Sequence, residues 1–426
     1  MQKKDPTITI CGSGQEVGRS AILLEADKRI LLDCGVKVRD DEAGGATGLP
    51  KLKSNVDAII VAHAHLDHSG FIPAVSKGRP IYGTPPTEAL AELLVRDAKK
   101  VDPSLPFSIM DIESAFRSFV ALPYGVETQV GNTTFTLHNS GHIPGSAVTE
   151  LKVDGKKVVY TSDFNLHETR LMESAELIED VDVLITECTY SYKDHPPRKE
   201  EEKRLIKEID ETIEAGGNVL LPAFAVGRTQ ELAMILYSYD VELPVYIHGM
   251  GLTASEIIMS HQRYIKNPLV LREAIKHLTP VGKDRSQPLK KPSAIIATAG
   301  MLEGGPAMGY LLALDQAYRE RQVPSKVLFS GFCVEESNGW YLQNKQQVYM
   351  KKKNVKKAKP IQISLPVSLH HLSAHSDRTA LLAFIKKANP GKVVCVHGDR
   401  IDEFVADLRG MGYDAIGPKN GDIITL

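Results

Sequence analysis

The chain has 426 residues, 51 Lys and Arg against 53 Asp and Glu, and 42% hydrophobic residues. That length calls for two or three domains with sizeable cores. The near-zero net charge predicts no global pull on nucleic acid, so an anionic ligand must be held by local patches or by metal.

The five cysteines (Cys11, Cys34, Cys188, Cys333 and Cys395) are odd in number, scattered, and form no CxxC pair. This argues against a disulfide scaffold and a thiolate zinc site, and fits a reducing compartment. The N-terminal MQKKDPTITI lacks the apolar core of a signal peptide, and no apolar run reaches the roughly 18 residues of a membrane span. A cytoplasmic protein with no membrane partner is expected.

The first 190 residues read as short strands joined by loops. Apolar or alternating stretches stand at 8–12, 20–26, 29–35, 58–65, 80–84, 133–139, 149–155, 157–164 and 181–189, punctuated by Gly, Asp and Asn. A helix is predicted over 87–100, where Leu90, Leu93, Leu94 and Ala98 fall at helical spacing. After Pro196-Pro197 the pattern changes. RKEEEKRLIKEIDETIEAGG (198–217) predicts an amphipathic helix, with Leu205, Ile209 and Ile213 four apart and a Gly pair as its stop. A second helix is predicted over 229–240. Buried strands at 218–224, 244–249, 293–300 and 326–332 alternate with helical stretches, which predicts a parallel α/β sheet. KKKNVKKAK (351–359) carries six lysines and no acid. It is read as a solvated loop before it is read as a grip on RNA backbone. From 361 the first pattern returns, with a helix over 377–388. No tandem repeat is present. The fold class is therefore α/β, a split domain carrying an α/β insert.

VAHAHLDHSG (61–70) packs His63, His65, Asp67 and His68 into six positions after an apolar strand. The i, i+2 spacing puts His63 and His65 on one side of an extended segment. A zinc ion takes about four N/O/S ligands, and hydrolytic sites favour imidazole and carboxylate. Adjacent residues splay His68 away from His65, so two neighbouring metals fit this run better than one. His142 in NSGHIPGS, Asp163 after VVYTS and His397 after VVCV are further candidates. Each sits where a strand hands over to a loop, the usual mount for active-site groups. Any one of them alone is more often a loop or capping residue; jointly they point to metal.

The set His63, His65, Asp67, His68, His142 and Asp163 resembles the dinuclear zinc site of the metallo-β-lactamase fold, with Asp33 in LLDCG matching its preceding strand aspartate. Glu187 in ITECTYS, His375 in LSAHSD and His397 in VHGD resemble the three extra motifs of the β-CASP nucleases. FAVGRTQE (224–231) and ATAGMLEGGP (297–306) are similar to that branch's insert. The motifs span residues 11–399. The resemblance is to prokaryotic homologues of the cleavage and polyadenylation specificity factor nuclease, with ribonuclease J more distant.

This resemblance implies a metallo-β-lactamase αββα sandwich (1–190 and 366–426) with an inserted β-CASP domain (191–365) built on a parallel sheet. It implies two Zn2+ per subunit: His63, His65 and His142 on one, Asp67, His68 and His397 on the other, Asp163 bridging. Histidine at position 397 is the RNA-acting pattern. The expected activity is hydrolysis of single-stranded RNA in a groove beside the insert, leaving 5′-phosphate and 3′-hydroxyl, by internal cutting with 5′–3′ exonuclease action as a second mode. A homodimer and RNA-processing partners are expected on the same ground.

The chemistry agrees with that reading. Two zinc ions about 3.5–4 Å apart neutralise a phosphodiester and lower a bound water's pKa toward ~7. The ribose 3′ oxygen leaves poorly unless protonated, which is the role expected of His375 as general acid with Glu187 orienting it. Asp33 is expected behind the ligands, fixing their geometry.

Weaker signals carry plainer readings. GSGQEVG (12–18) has GxGxxxG spacing and precedes a strand, so it reads as a hairpin loop rather than a dinucleotide loop. Arg228 opens a helix where anions are favoured, and Gly300 lies in a tight loop; both are candidate substrate contacts, with a surface arginine and a simple turn as the alternatives. Two other functions stay open: a metallo-hydrolase for DNA, thioester or lactone, and a non-catalytic RNA-binding scaffold subunit.

Overall fold

A computed structural model describes residues 5–40, 46–52, 55–331, 333–350 and 359–426. The lysines at 351–353, 356 and 357 lie outside the described residues. The chain divides into two compact units: Met1–Asp194 with Ala374–Leu426, and His195–Ser373.

The first unit is built on two seven-stranded sheets. One runs in the order Ile423–Thr425, Thr7–Gly12, Ala21–Glu25, Arg29–Leu32, Ala58–Ile60, Ile81–Gly83, Phe119–Ala121. The other runs Ala415–Ile416, Lys392–Val396, Val183–Glu187, Lys156–Tyr160, Ala147–Val153, Thr133–Asn139, Thr128–Val130. The strands alternate, so every second residue faces the partner sheet. Ile8, Ile10, Ile22, Leu24, Ile30 and Leu32 from the first sheet share one core with Phe135, Leu137, Leu151, Val158, Ile185 and Val394 from the second. The opposite face of the second sheet (Val159, Leu184, Val393 and Cys395) packs on Leu381, Phe384, Phe404 and Leu408 of the helices Arg378–Ala388 and Ile401–Gly410. This is the expected layered α/β sandwich.

GSGQEVG forms the loop between the antiparallel strands Thr7–Gly12 and Ala21–Glu25, as its spacing predicts. The helix Pro85–Val101 begins on a Thr84 cap and a first-turn proline. A second helix in this region, Ile109–Arg117, has a capping box made by Ser108 and Asp111 and was not predicted.

Strand direction decides where chemistry can be mounted. Lys156–Tyr160, Val183–Glu187 and Lys392–Val396 run parallel in adjacent places, so Asp163, Glu187 and His397 emerge from the same edge. Arg29–Leu32 and Ala58–Ile60 are likewise parallel neighbours, which brings Asp33 level with the start of the histidine run.

The second unit holds a six-stranded, wholly parallel sheet ordered Leu278–Pro280, Val245–His248, Ala294–Ala297, Val219–Pro222, Lys326–Phe329, Val367–Leu369. The helix Arg198–Glu214 buries Leu205 and Ile209, as its spacing predicts, together with Ile206, while Ile213, the third residue of that spacing, is only half-buried. Trp340 packs against this unit's core rather than standing clear of it.

Candidate metal centre

Asp163 stands at the middle of the site. Its carboxylate lies 3.6 Å from His63 Nε2, 3.3 Å from His68 Nε2, 3.7 Å from His142 Nε2 and 3.4 Å from His397 Nδ1. Two quartets share it: His63, His65, His142 and Asp163, and Asp67, His68, Asp163 and His397. In each, one possible ligand atom per residue lies within 4.8 Å of every other. Asp163, Glu187 and His375 form a third group by the same measure. The fold therefore brings together all seven residues read from the sequence as metal ligands, although they come from positions 63 to 397.

The surroundings fix how each ring faces. Asp33 is fully buried and stands outside both quartets. It accepts hydrogen bonds from His68 Nδ1 (2.7 Å), the Ala62 N–H (2.7 Å), the Tyr160 hydroxyl (2.8 Å) and the Ser162 hydroxyl (3.0 Å). His68 is thereby left with Nε2 toward Asp163. His142 Nδ1 donates to the Ala374 carbonyl at 2.9 Å, so its Nε2 faces the site as an acceptor. The His397 backbone is tied to the Ser13 carbonyl in the hairpin loop (2.8 Å), and its Nδ1 lies 3.3 Å from the Thr189 hydroxyl. Asp33, Ser162 and His397 have φ of 56°, 49° and 50°. Left-handed backbone costs a non-glycine residue roughly 1–2 kcal/mol, and here it sits at strand tips that carry the site.

His375 stands beside the quartets, its ring 4.6 Å from that of His142. Its Nδ1 lies 3.0 and 3.2 Å from the two oxygens of Glu187, which is itself buried and held by the Phe164 and Thr189 N–H groups. Its Nε2 lies 4.0 Å from Asp163.

Burial holds the His63 and His142 imidazoles well below their ordinary pKa, and the neighbouring histidines add to that. Neutral imidazole is the form that ligates metal. Burial acts the other way on Asp163, but His68, His397 and His375 outweigh it and keep the carboxylate ionised. Burial also opposes protonation of His375, yet Glu187 and Asp163 carry it to about 9, so the ring holds a proton at neutral pH.

Three buried atoms in this cluster, His63 Nε2, Asp163 Oδ1 and His397 Nε2, have no hydrogen-bond partner. An unsatisfied buried polar atom costs about 1–3 kcal/mol. Three in one place, all of ligating type and none sulfur, fit a site built for cations taken by imidazole and carboxylate, as zinc is.

Tyr160, Ser162 and Thr189, and the carbonyls of Ser13 and Ala374, support this cluster and were missed from the sequence. The TSD tripeptide around Ser162 was the available signal. Arg228 begins the helix Arg228–Ser238, and its guanidinium donates to the Leu372 carbonyl. Gly300 lies against the backbone of Ala223 and Phe224, where a Cβ would come within 2.9 Å of the Phe224 nitrogen.

Comparison with known proteins agrees with this construction. Residues 22–190 match the metallo-beta-lactamase superfamily domain, and residues 361–418 match the Zn-dependent metallo-hydrolase RNA specificity domain. Probable RNase MJ4 of Methanocaldococcus jannaschii is 32% identical over 97% of this chain and 99% of its own. RNase aCSPSF2 of Saccharolobus solfataricus is 32% identical over 98% of this chain and 85% of its own. Transcription termination factor FttA of Methanocaldococcus jannaschii is 35% identical over 92% of this chain and 67% of its own. A solved structure of a protein of unknown function from Enterococcus faecalis has the same fold, with a TM-score of 0.64 over 99% of this chain and 100% of that one, at 15% identity. The chain belongs to the metallo-β-lactamase/β-CASP family of ribonucleases, among the archaeal RNases and homologues of the cleavage and polyadenylation specificity factor nuclease. No helix among the described residues is long and apolar enough to cross a membrane.

Proposed function

We propose that this chain hydrolyses phosphodiester bonds of single-stranded RNA with two zinc ions, cutting internally and leaving 5′-phosphate and 3′-hydroxyl ends. The observation that carries the reading is the shared Asp163: it belongs to both quartets at once, which favours a paired metal site over a single one. His63, His65 and His142 would hold one ion, Asp67, His68 and His397 the other, with Asp163 between. When bound, such a pair neutralises the phosphodiester and lowers the pKa of water in the site.

The chain's own residues supply the rest. Asp33 locks the His68 ring through Nδ1, and the Ala374 carbonyl does the same for His142. Glu187 holds the protonated Nδ1 of His375, which leaves Nε2 on the site side, where it delivers a proton to the departing 3′ oxygen. Arg228 and Gly300, which follow the strands Val219–Pro222 and Ala294–Ala297 at their carboxyl ends, are proposed substrate contacts; such ends are where parallel sheets bind ligands. Assembly as a homodimer in the cytoplasm belongs to the same proposal, resting on family resemblance.

The test is digestion of one RNA labelled at either end, in 5′-triphosphate and 5′-monophosphate forms, with zinc counted by elemental analysis. Internal fragments from both RNAs and two zinc ions per chain support the reading. Trimming from a 5′-monophosphate end only replaces the cutting mode. A zinc-replete chain that turns over DNA or a thioester but not RNA ends it.

A further inference from the structure

Lys193 follows Glu187 in sequence and sits on two aromatic rings. Its Nζ lies 5.5 Å from the Tyr190 ring centre and 5.4 Å from that of Tyr192. The two rings are stacked with centres 6.5 Å apart at 26°. Tyr190 in turn lies 6.2 Å, ring to ring, from His375. A continuous path of rings therefore runs from the proposed proton donor to this ammonium group.

What sets Lys193 apart is its missing counter-charge. It is half-buried, and that burial lowers its pKa. Among the described residues no carboxylate stands within ion-pair reach and no acceptor takes a hydrogen bond from Nζ. Two cations of this region are answered: Arg378 pairs with Asp407 at 2.9 Å, and Arg400 pairs with Glu403 while resting 5.1 Å over the Tyr192 ring. Together with Ser191, Tyr192 and Phe404 these four line a charge-balanced cleft of about 190 Å³. Ring faces offset only part of the cost of taking an ammonium out of water. A half-buried cation without a partner, next to a phosphodiester-cutting site, is placed for an anion that arrives with the substrate.

We infer that Lys193 binds a backbone phosphate of the RNA strand next to the bond being cut, held out for it by the stacked Tyr190 and Tyr192 rings. This rests on the ribonuclease reading. The contact is to phosphate, so it serves every sequence alike and adds affinity and register without base preference.

The experiment is binding of a short fluorescent single-stranded RNA with phosphorothioate linkages, which slow cutting, to the full zinc-loaded chain across a salt series. Each phosphate contact on a single strand contributes about 0.7 to the slope of log affinity against log salt. Lys193→Gln is expected to bind several-fold more weakly at low salt with a slope shallower by about 0.7. Lys193→Arg is expected to keep the wild-type slope. Lys387→Gln, which removes a lysine paired with Glu179, controls for loss of charge in general. A folded Lys193→Gln chain with wild-type affinity and slope overturns the inference while leaving the ribonuclease reading intact. A zinc-loaded wild-type chain that binds no RNA overturns both.

Discussion

Asp33 holds His68 from behind: its Oδ2 lies 2.7 Å from Nδ1, the ring nitrogen turned away from Asp163. That one contact sets which nitrogen of His68 faces the quartet. Asp33→Asn should keep most of the shape but exchange the carboxylate for a weaker, neutral acceptor. Losing such a partner typically costs about 10–100-fold in metal affinity or activity. Zinc affinity measured by chelator competition should fall in that range; an unchanged affinity would show that Asp33 serves the fold alone.

The Glu187–His375 pair carries a second prediction. His375→Gln should lower RNA hydrolysis by about 10²–10⁴, the usual yield of a positioned general acid. Zinc content should stay at the wild-type level, because His375 lies outside both quartets. A variant that loses its zinc along with its activity would instead place His375 among the ligands.

Removing metal should be felt in stability as well as in rate. His63 Nε2, Asp163 Oδ1 and His397 Nε2 are buried and make no hydrogen bond, so a cation bound there would satisfy them. Anything that binds the folded state alone raises its stability by mass action. A chelator is therefore expected to lower the unfolding temperature and abolish hydrolysis together, with zinc restoring both. Full thermal stability in excess chelator would contradict this.

The second unit has its own acid sensitivity. His370 is fully buried, neither ring nitrogen makes a hydrogen bond, and Glu208 lies 3.6 Å away. Burial, then Arg204, lower its pKa to about 4, against the opposite pull of Glu208 and Glu201. The unfolded chain takes this proton near 6.5 and the folded chain near 4. Between those values the unfolded state binds more protons, so stability present above pH 6.5 is lost as pH falls toward 4. The urea midpoint should drop from pH 7 to pH 5, and His370→Gln should drop less. Equal drops in both chains would assign the effect elsewhere.

Much of the centre was legible because its residues break a pattern. His63, His142, Asp163 and His397 are polar groups at or beside the ends of apolar strands, and an apolar run followed by imidazole has few other uses. The helix Arg198–Glu214 was legible from four-residue spacing. The helix Ile109–Arg117 was not, because in nine residues it buries only Ile112, Ala115 and Phe116, too short a stripe to stand out. Tyr160 and Ser162 were illegible for a different reason. They meet Asp33 from 127 and 129 residues away, through sheet register that no local pattern encodes. The same holds for the Ala374 carbonyl, since every residue has one.

The strand Val183–Glu187 is flanked by Lys156–Tyr160 on one side and by Lys392–Val396 on the other. During synthesis the second flank emerges some two hundred residues after the first, once the whole intervening unit has been made. A nascent chain can thus gather His63, His65, His142 and Asp163 early, but His375 and His397 follow only after the intervening unit His195–Ser373. The pair of quartets that share Asp163 can therefore be completed only after the intervening unit has been made.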